Sequence, residues 1–142
     1  AVGPSAFLRF GEPDTGAELW SVSAPDGPAR RVTDLAPGPA SSDAYIVGTI
    51  DGNILLSASD GISGVELWTP AGDGLVRDIA PGPQSSTPYW ATGAPVVASL
   101  NGFLYFFTVA DGQGLQLWRS DASSCPTTAG SGSAPNSVSA RR

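Results

Sequence analysis

Gly64-Val65-Glu66-Leu67-Trp68 decides how this chain is read, because the pattern occurs three times. It matches Gly16-Ala17-Glu18-Leu19-Trp20, 48 positions earlier, and Gly114-Leu115-Gln116-Leu117-Trp118, 50 positions later. A second signature follows it twice: Asp34-Leu35-Ala36-Pro37-Gly38-Pro39-Ala40-Ser41-Ser42 and Asp78-Ile79-Ala80-Pro81-Gly82-Pro83-Gln84-Ser85-Ser86. A third, Asp51-Gly52 against Asn101-Gly102, precedes an apolar run in both places. Three signatures in one order make this a repeat protein of about two and a half copies, each roughly 48–50 residues long.

Within the second copy, strands are expected at Asn53–Ser59, Val65–Pro70, Leu75–Ala80 and Pro95–Leu100, with a turn over Asp60–Gly64. Asn-Gly and Asp-Gly accept positive φ and so mark two-residue hairpin turns. The Pro-Gly-Pro segments stop pairing, since Pro cannot donate to a ladder. Phe103-Leu104-Tyr105-Phe106-Phe107 is apolar on both faces, as a sheet covered on both sides requires. Four strands per repeat of this length point to an all-β chain with propeller-like repeats of four-stranded antiparallel sheets, a partial propeller. A β-sandwich or a β-solenoid is the alternative.

The repeat domain covers 1–121, with copies at about 6–52, 53–102 and a partial third at 103–121. The remainder, 122–142, is rich in Ser, Ala, Gly and Pro, matches no part of the repeat and reads as a loosely packed tail holding the single Cys125. With no Met anywhere, the chain reads as a processed or trimmed product. Two and a half copies cannot close a ring, so self-association is expected.

Composition narrows function mainly by exclusion. A net charge of −6 argues against a nucleic-acid partner, and no apolar run is long enough to span a membrane. The absence of His and Lys removes Ser-His-Asp and Cys-His catalysis, Lys nucleophiles and the commonest zinc ligand. The Gly residues sit in turns with no following helix, so there is no phosphate loop. No catalytic residue is expected.

These motifs resemble the bacterial ELWxxDGT-repeat proteins across about Ala6 to Asp121. The carriers are Glu18-Leu19-Trp20, Glu66-Leu67-Trp68, Gln116-Leu117-Trp118 and the two Ala-Pro-Gly-Pro-x-Ser-Ser segments. The Asp-Gly-Thr of that family survives only as Asp26-Gly27-Pro28 and Asp73-Gly74-Leu75. The resemblance implies a propeller-like, exported protein, secreted or on the cell surface, and no particular activity. Ser59-Asp60-Gly61 with Trp68 also resembles the Asp-box of sialidase-type propellers, which implies a structural hairpin role for Asp60.

Trp20, Trp68 and Trp118 share one repeat position and are expected to pack between sheets, while Leu19, Leu67 and Leu117 point to the opposite faces. Asp60 with Glu66, and Asp14 with Glu18, flank the first hairpin turn of two copies. They are weak calcium candidates, because neither pair is dense in acids. No cofactor is expected. Asp34 and Asp78 are read as turn formers.

The unrepeated features are where function is sought. Ser86 lies 16 positions before Gly102, but Ser42 only 10 before Gly52, so the second copy holds an insertion of about six residues. It includes Thr87-Pro88-Tyr89-Trp90-Ala91-Thr92-Gly93. Tyr89 and Trp90 are the candidate ligand-binding residues, since adjacent aromatics on an inserted loop suit recognition. The expected function is a non-enzymatic exported binding module for glycan or protein. A self-assembling surface or filament protein is the alternative, and a hydrolase is the third reading.

Overall fold

The computed structural model describes residues 5–70, 74–88, 90–91, 94–110, 114–122 and 138–141. Among them every regular element is a strand, and the fold is all-β. The first sheet joins β1 (Ala6–Glu12), β2 (Gly16–Val22) and β3 (Arg30–Arg31), in that order. The second joins β4 (Tyr45–Ile50), β5 (Asn53–Ser59), β6 (Val65–Trp68) and β7 (Leu75–Arg77). Next come β8 (Ser86–Pro88) and a small ribbon of β9 (Trp90–Ala91) with β10 (Ala94–Pro95). The third sheet orders β11 (Val97–Leu100), β12 (Phe103–Ala110), β13 (Gly114–Ser120) and β14 (Val138–Arg141), with β8 paired to the far end of β12. All pairings are antiparallel, and no closed barrel or ring is formed by the described residues.

The sheets are out of phase with the sequence period. Asp51-Gly52 and Asn101-Gly102 both take positive φ, and Ile50↔Asn53 and Leu100↔Phe103 pair directly across them. A two-residue turn of this kind forces its flanking strands to be neighbours. The strand that ends each sequence copy therefore opens the next sheet. The third predicted strand of the second copy stops at Arg77 rather than Ala80, because the Ile79 and Ala80 amides donate to a side chain instead of a ladder. From the tail, β14 pairs with β13, setting Arg141 opposite Leu117 where β7 sets Arg77 opposite Leu67.

Strand alternation lets the middle sheet serve two cores. Val47, Leu55, Leu67 and Val76 pack with Leu104, Phe106 and Trp118 of the third sheet. Their chain neighbours Ile54, Leu56 and Trp68 pack with Leu19 of the first sheet. The Trp68 indole N–H donates to the Ala58 carbonyl at 2.8 Å, which pairs its one polar atom. Burying one such leucine contributes about 1.5–3 kcal/mol, so this double core dominates the stability of the stack.

The two long signatures interlock. Glu66 is fully buried on β6 and accepts hydrogen bonds from Ile79 N (2.8 Å), Ala80 N (3.0 Å) and Ser86 Oγ (2.6 Å). Glu18, equally buried on β2, accepts from Thr33 Oγ1, Leu35 N, Ala36 N, Ser42 N and Ser42 Oγ. The first serine of each pair closes the same contact, with Ser41 Oγ accepting from Ala17 N and Ser85 Oγ from Val65 N, both at 2.9 Å. The Asp-to-Ser-Ser segment is thus a clasp drawn over the start of its strand.

That closeness requires glycine at the strand start. A methyl group on Gly16 or Gly64 would overlap the carbonyl of Ala40 or Gln84, while Gly114 has open space at the corresponding point. All three have φ between 62° and 70°, so backbone strain is common to them and overlap is not. Gly114→Ala should therefore cost about 1–2 kcal/mol from strain alone. Gly64→Ala should cost more, by roughly 1–3 kcal/mol, because the clasp must lift and unpair its buried donors. Urea unfolding of the two variants checks this difference, and equal losses would refute the steric account.

Candidate functional site

The ends of the two clasps meet at a cleft of about 400 Å³ lined by Asp43, Tyr45, Ser57, Val65, Thr87 and Pro88. Asp43 and Tyr45 follow directly on the first clasp, and Thr87 and Pro88 on the second. Ser57 and Val65 form the floor from β5 and β6. Ser57 lies opposite Tyr45 in the β4–β5 ladder, so strand pairing fixes their separation. Asp43 takes φ 49°, a left-handed conformation that Asp tolerates better than most residues, and it turns the chain from the clasp into β4.

Charge is organised around the Tyr45 ring. The Arg9 guanidinium lies 5.1 Å from the ring centroid and is ion-paired with Asp43. Such a cation over an aromatic face holds the ring in place and adds about 0.5–1 kcal/mol at an exposed site. Tyr45 is 44% exposed, so much of its side chain is open to a ligand. The arrangement offers an aromatic surface, two hydroxyl side chains and an ion pair. It can bind by stacking and hydrogen bonding.

The two aromatic residues singled out from the sequence are not both described. Tyr89 lies outside the described residues, as does the side chain of Trp90, whose backbone forms β9. In the chain both follow immediately on Thr87 and Pro88 of the cleft. The reading from sequence missed Tyr45, although a signal was present: Ser41-Ser42-Asp43-Ala44-Tyr45 and Ser85-Ser86-Thr87-Pro88-Tyr89 share one spacing. Cys125 lies outside the described residues.

Asp60 and Glu66, the calcium candidates, are both engaged by protein donors. Asp60 Oδ1 accepts from Ile62 N at 2.8 Å and Ser63 N at 2.7 Å, closing the turn before β6. Partial burial opposes its ionisation, but hydrogen bonds from Ser63 and Ile62 outweigh that and hold the carboxyl below its ordinary value. Among the described residues no three of His, Cys, Asp and Glu gather as a metal site.

For Glu66 the balance goes the other way. Burial pushes its carboxyl above the ordinary value, helped by the nearby Asp78 charge, while Ser86, Ile79 and Ala80 pull it down without cancelling the rise. A raised value in the folded state favours folding below the ordinary value of 4.5, and that contribution is lost as pH rises through the folded value.

No family model, no curated protein and no solved structure matches this chain.

Glu66→Gln sets an amide NH₂ against buried donors and should lower stability by roughly 1–3 kcal/mol. Linkage makes the loss larger near pH 4 than near pH 7, since only the wild-type residue titrates. Urea unfolding of both proteins at the two pH values measures this, and a loss that grows with pH would contradict it.

Proposed function

We propose that the chain is a non-enzymatic, exported binding module, built as part of a propeller-like stack, that takes a glycan or protein segment at the Tyr45 cleft. The cleft carries the reading. An exposed aromatic ring, the Ser57 and Thr87 hydroxyls and the Arg9–Asp43 pair converge there on rigid strands and clasp ends. Tyrosine supplies a large contact area with little conformational entropy to lose, and neighbouring hydroxyls fix orientation. Tyr89 and Trp90 follow directly in the chain on Thr87 and Pro88 of the cleft, which supports counting them in the same binding surface.

The repeated carboxylates support a role without catalysis. Glycoside hydrolysis needs an acid and a second carboxylate facing a cleft about 5–9 Å apart. Glu18 and Glu66 are instead buried under their clasps. Export follows from the family likeness of the repeats, and the propeller-like reading from a middle sheet covered on both faces by equivalent neighbours. No described helix is long and apolar enough to cross a membrane.

Binding to a glycan array, followed by titration of the best ligand, tests the proposal. Tyr45→Ala, Tyr89→Ala and Trp90→Ala should each weaken binding at least about tenfold. Ile62→Ala, on an exposed turn, should leave it unchanged. A ligand that binds the Tyr45→Ala protein with wild-type affinity would place recognition elsewhere. Binding to a peptide library instead of glycans would decide the ligand class in favour of protein.

A further inference from the structure

Separately from that cleft, the two outer faces of the stack are unlike each other and complementary. On the third sheet the face turned away from the core carries Tyr105, Phe107, Val109, Leu115, Leu117 and Leu100. Leu100 is 59% exposed and Leu115 53%. On the first sheet the outer face carries Leu8, Phe10 and Trp20, with Leu8 40% and Phe10 49% exposed. Phe10 and Trp20 meet edge-on, with ring centroids 5.7 Å apart. Two apolar faces of this kind on one small protein are surfaces for association.

The repeat identifies what each face fits. Tyr105 and Leu117 stand 50 positions after Leu55 and Leu67, and those residues pack on the Trp118-bearing face of the following sheet. Leu8 and Trp20 stand 48 positions before Leu56 and Trp68, which pack on the Leu19-bearing face of the preceding sheet. Every interface inside the chain therefore joins a leucine-bearing face to the tryptophan-bearing face of the next sheet. Among the described residues, the first sheet leaves a tryptophan face open, and the third sheet a leucine face.

We propose that the outer face of the third sheet binds the outer face of the first sheet of a second copy of this chain, head to tail, continuing the internal stacking across the molecular boundary. A head-to-tail contact uses two different patches, so each copy can accept one neighbour and offer itself to another. Such a series grows until it closes into a ring or continues as a stack. A symmetric pairing of two leucine faces would lack the indole that fills each internal interface.

Mixing complementary blocked variants tests the polarity. Leu115→Glu charges the third-sheet face and Leu8→Glu the first-sheet face, each at an exposed position. Sedimentation of the full chain is run under reducing conditions, so that a Cys125 disulfide is not counted as assembly. Wild type should exceed the 14.4 kDa monomer and grow with concentration or reach a discrete ring. Each variant alone should remain a monomer, and an equimolar mixture should form dimers of twice 14.4 kDa and nothing larger. Leu100→Glu with Phe10→Glu provides a second pair, and far-UV circular dichroism confirms that each variant folds. A monomeric wild type, a folded variant that still assembles alone, or folded variants that stay monomeric when mixed would each overturn the proposal.

Discussion

Two buried glutamates set the geometry on which the rest of the structure depends. Glu18 lies on β2 and Glu66 on β6, and each collects the amides and hydroxyls of the Asp-to-Ser-Ser segment that follows. Removing a carboxylate from water costs several kcal/mol. Charge-assisted hydrogen bonds, worth about 1.5–3 kcal/mol each, offset that cost without leaving a large surplus. The clasp is therefore chiefly a device of shape, while the apolar cores between sheets supply most of the stability. Its Pro-Gly-Pro centre suits this task, since proline lacks the N–H that would seek a ladder and Gly38 and Gly82 take the positive φ of the bend. By fixing where each clasp ends, the glutamates also fix the positions from which Tyr45 and Thr87 enter the cleft.

Much of the fold was legible in the chain. Asn53–Ser59 forms a strand over its predicted span, and the Asp-Gly and Asn-Gly turns are hairpins. The apolar pattern on both faces of the strands fits the middle sheet, which is covered twice. Phe103-Leu104-Tyr105-Phe106-Phe107 lies instead on the third sheet, where the described residues cover only the Leu104 and Phe106 face. The boundary between sheets was not legible, because a sequence period has no intrinsic starting point and only the two-residue turns assign one. The last strand of the third sheet escaped detection for another reason: a ladder is made by the backbone, and Val138–Arg141 joins it without repeating any motif.

The candidate site was less legible. Acidic side chains at a hairpin read naturally as surface groups, and nothing in Glu66 itself announces burial. The signal lay in the pairing of signatures. Glutamate and Ser-Ser occur together in two copies, and the third replaces glutamate by Gln116 where the Ala-Pro-Gly-Pro-x-Ser-Ser segment is absent. Tyr45 was overshadowed by the inserted aromatics, although it holds the repeat position of Tyr89. The polarity of the outer faces likewise follows only when the position-by-position equivalence is combined with knowledge of which face each leucine and tryptophan covers.

Amide hydrogen exchange tests the clasp most directly, because it reads the carboxylate's donors one at a time. Ala36, Ile79 and Ala80 lie in connecting segments outside every strand, where amides ordinarily exchange fast. If Glu18 and Glu66 hold them, their protection should approach that of core strand amides such as Leu55 and Leu67. Exchange at Ile79 and Ala80 as fast as at exposed Gly82 and Gln84 would contradict the account.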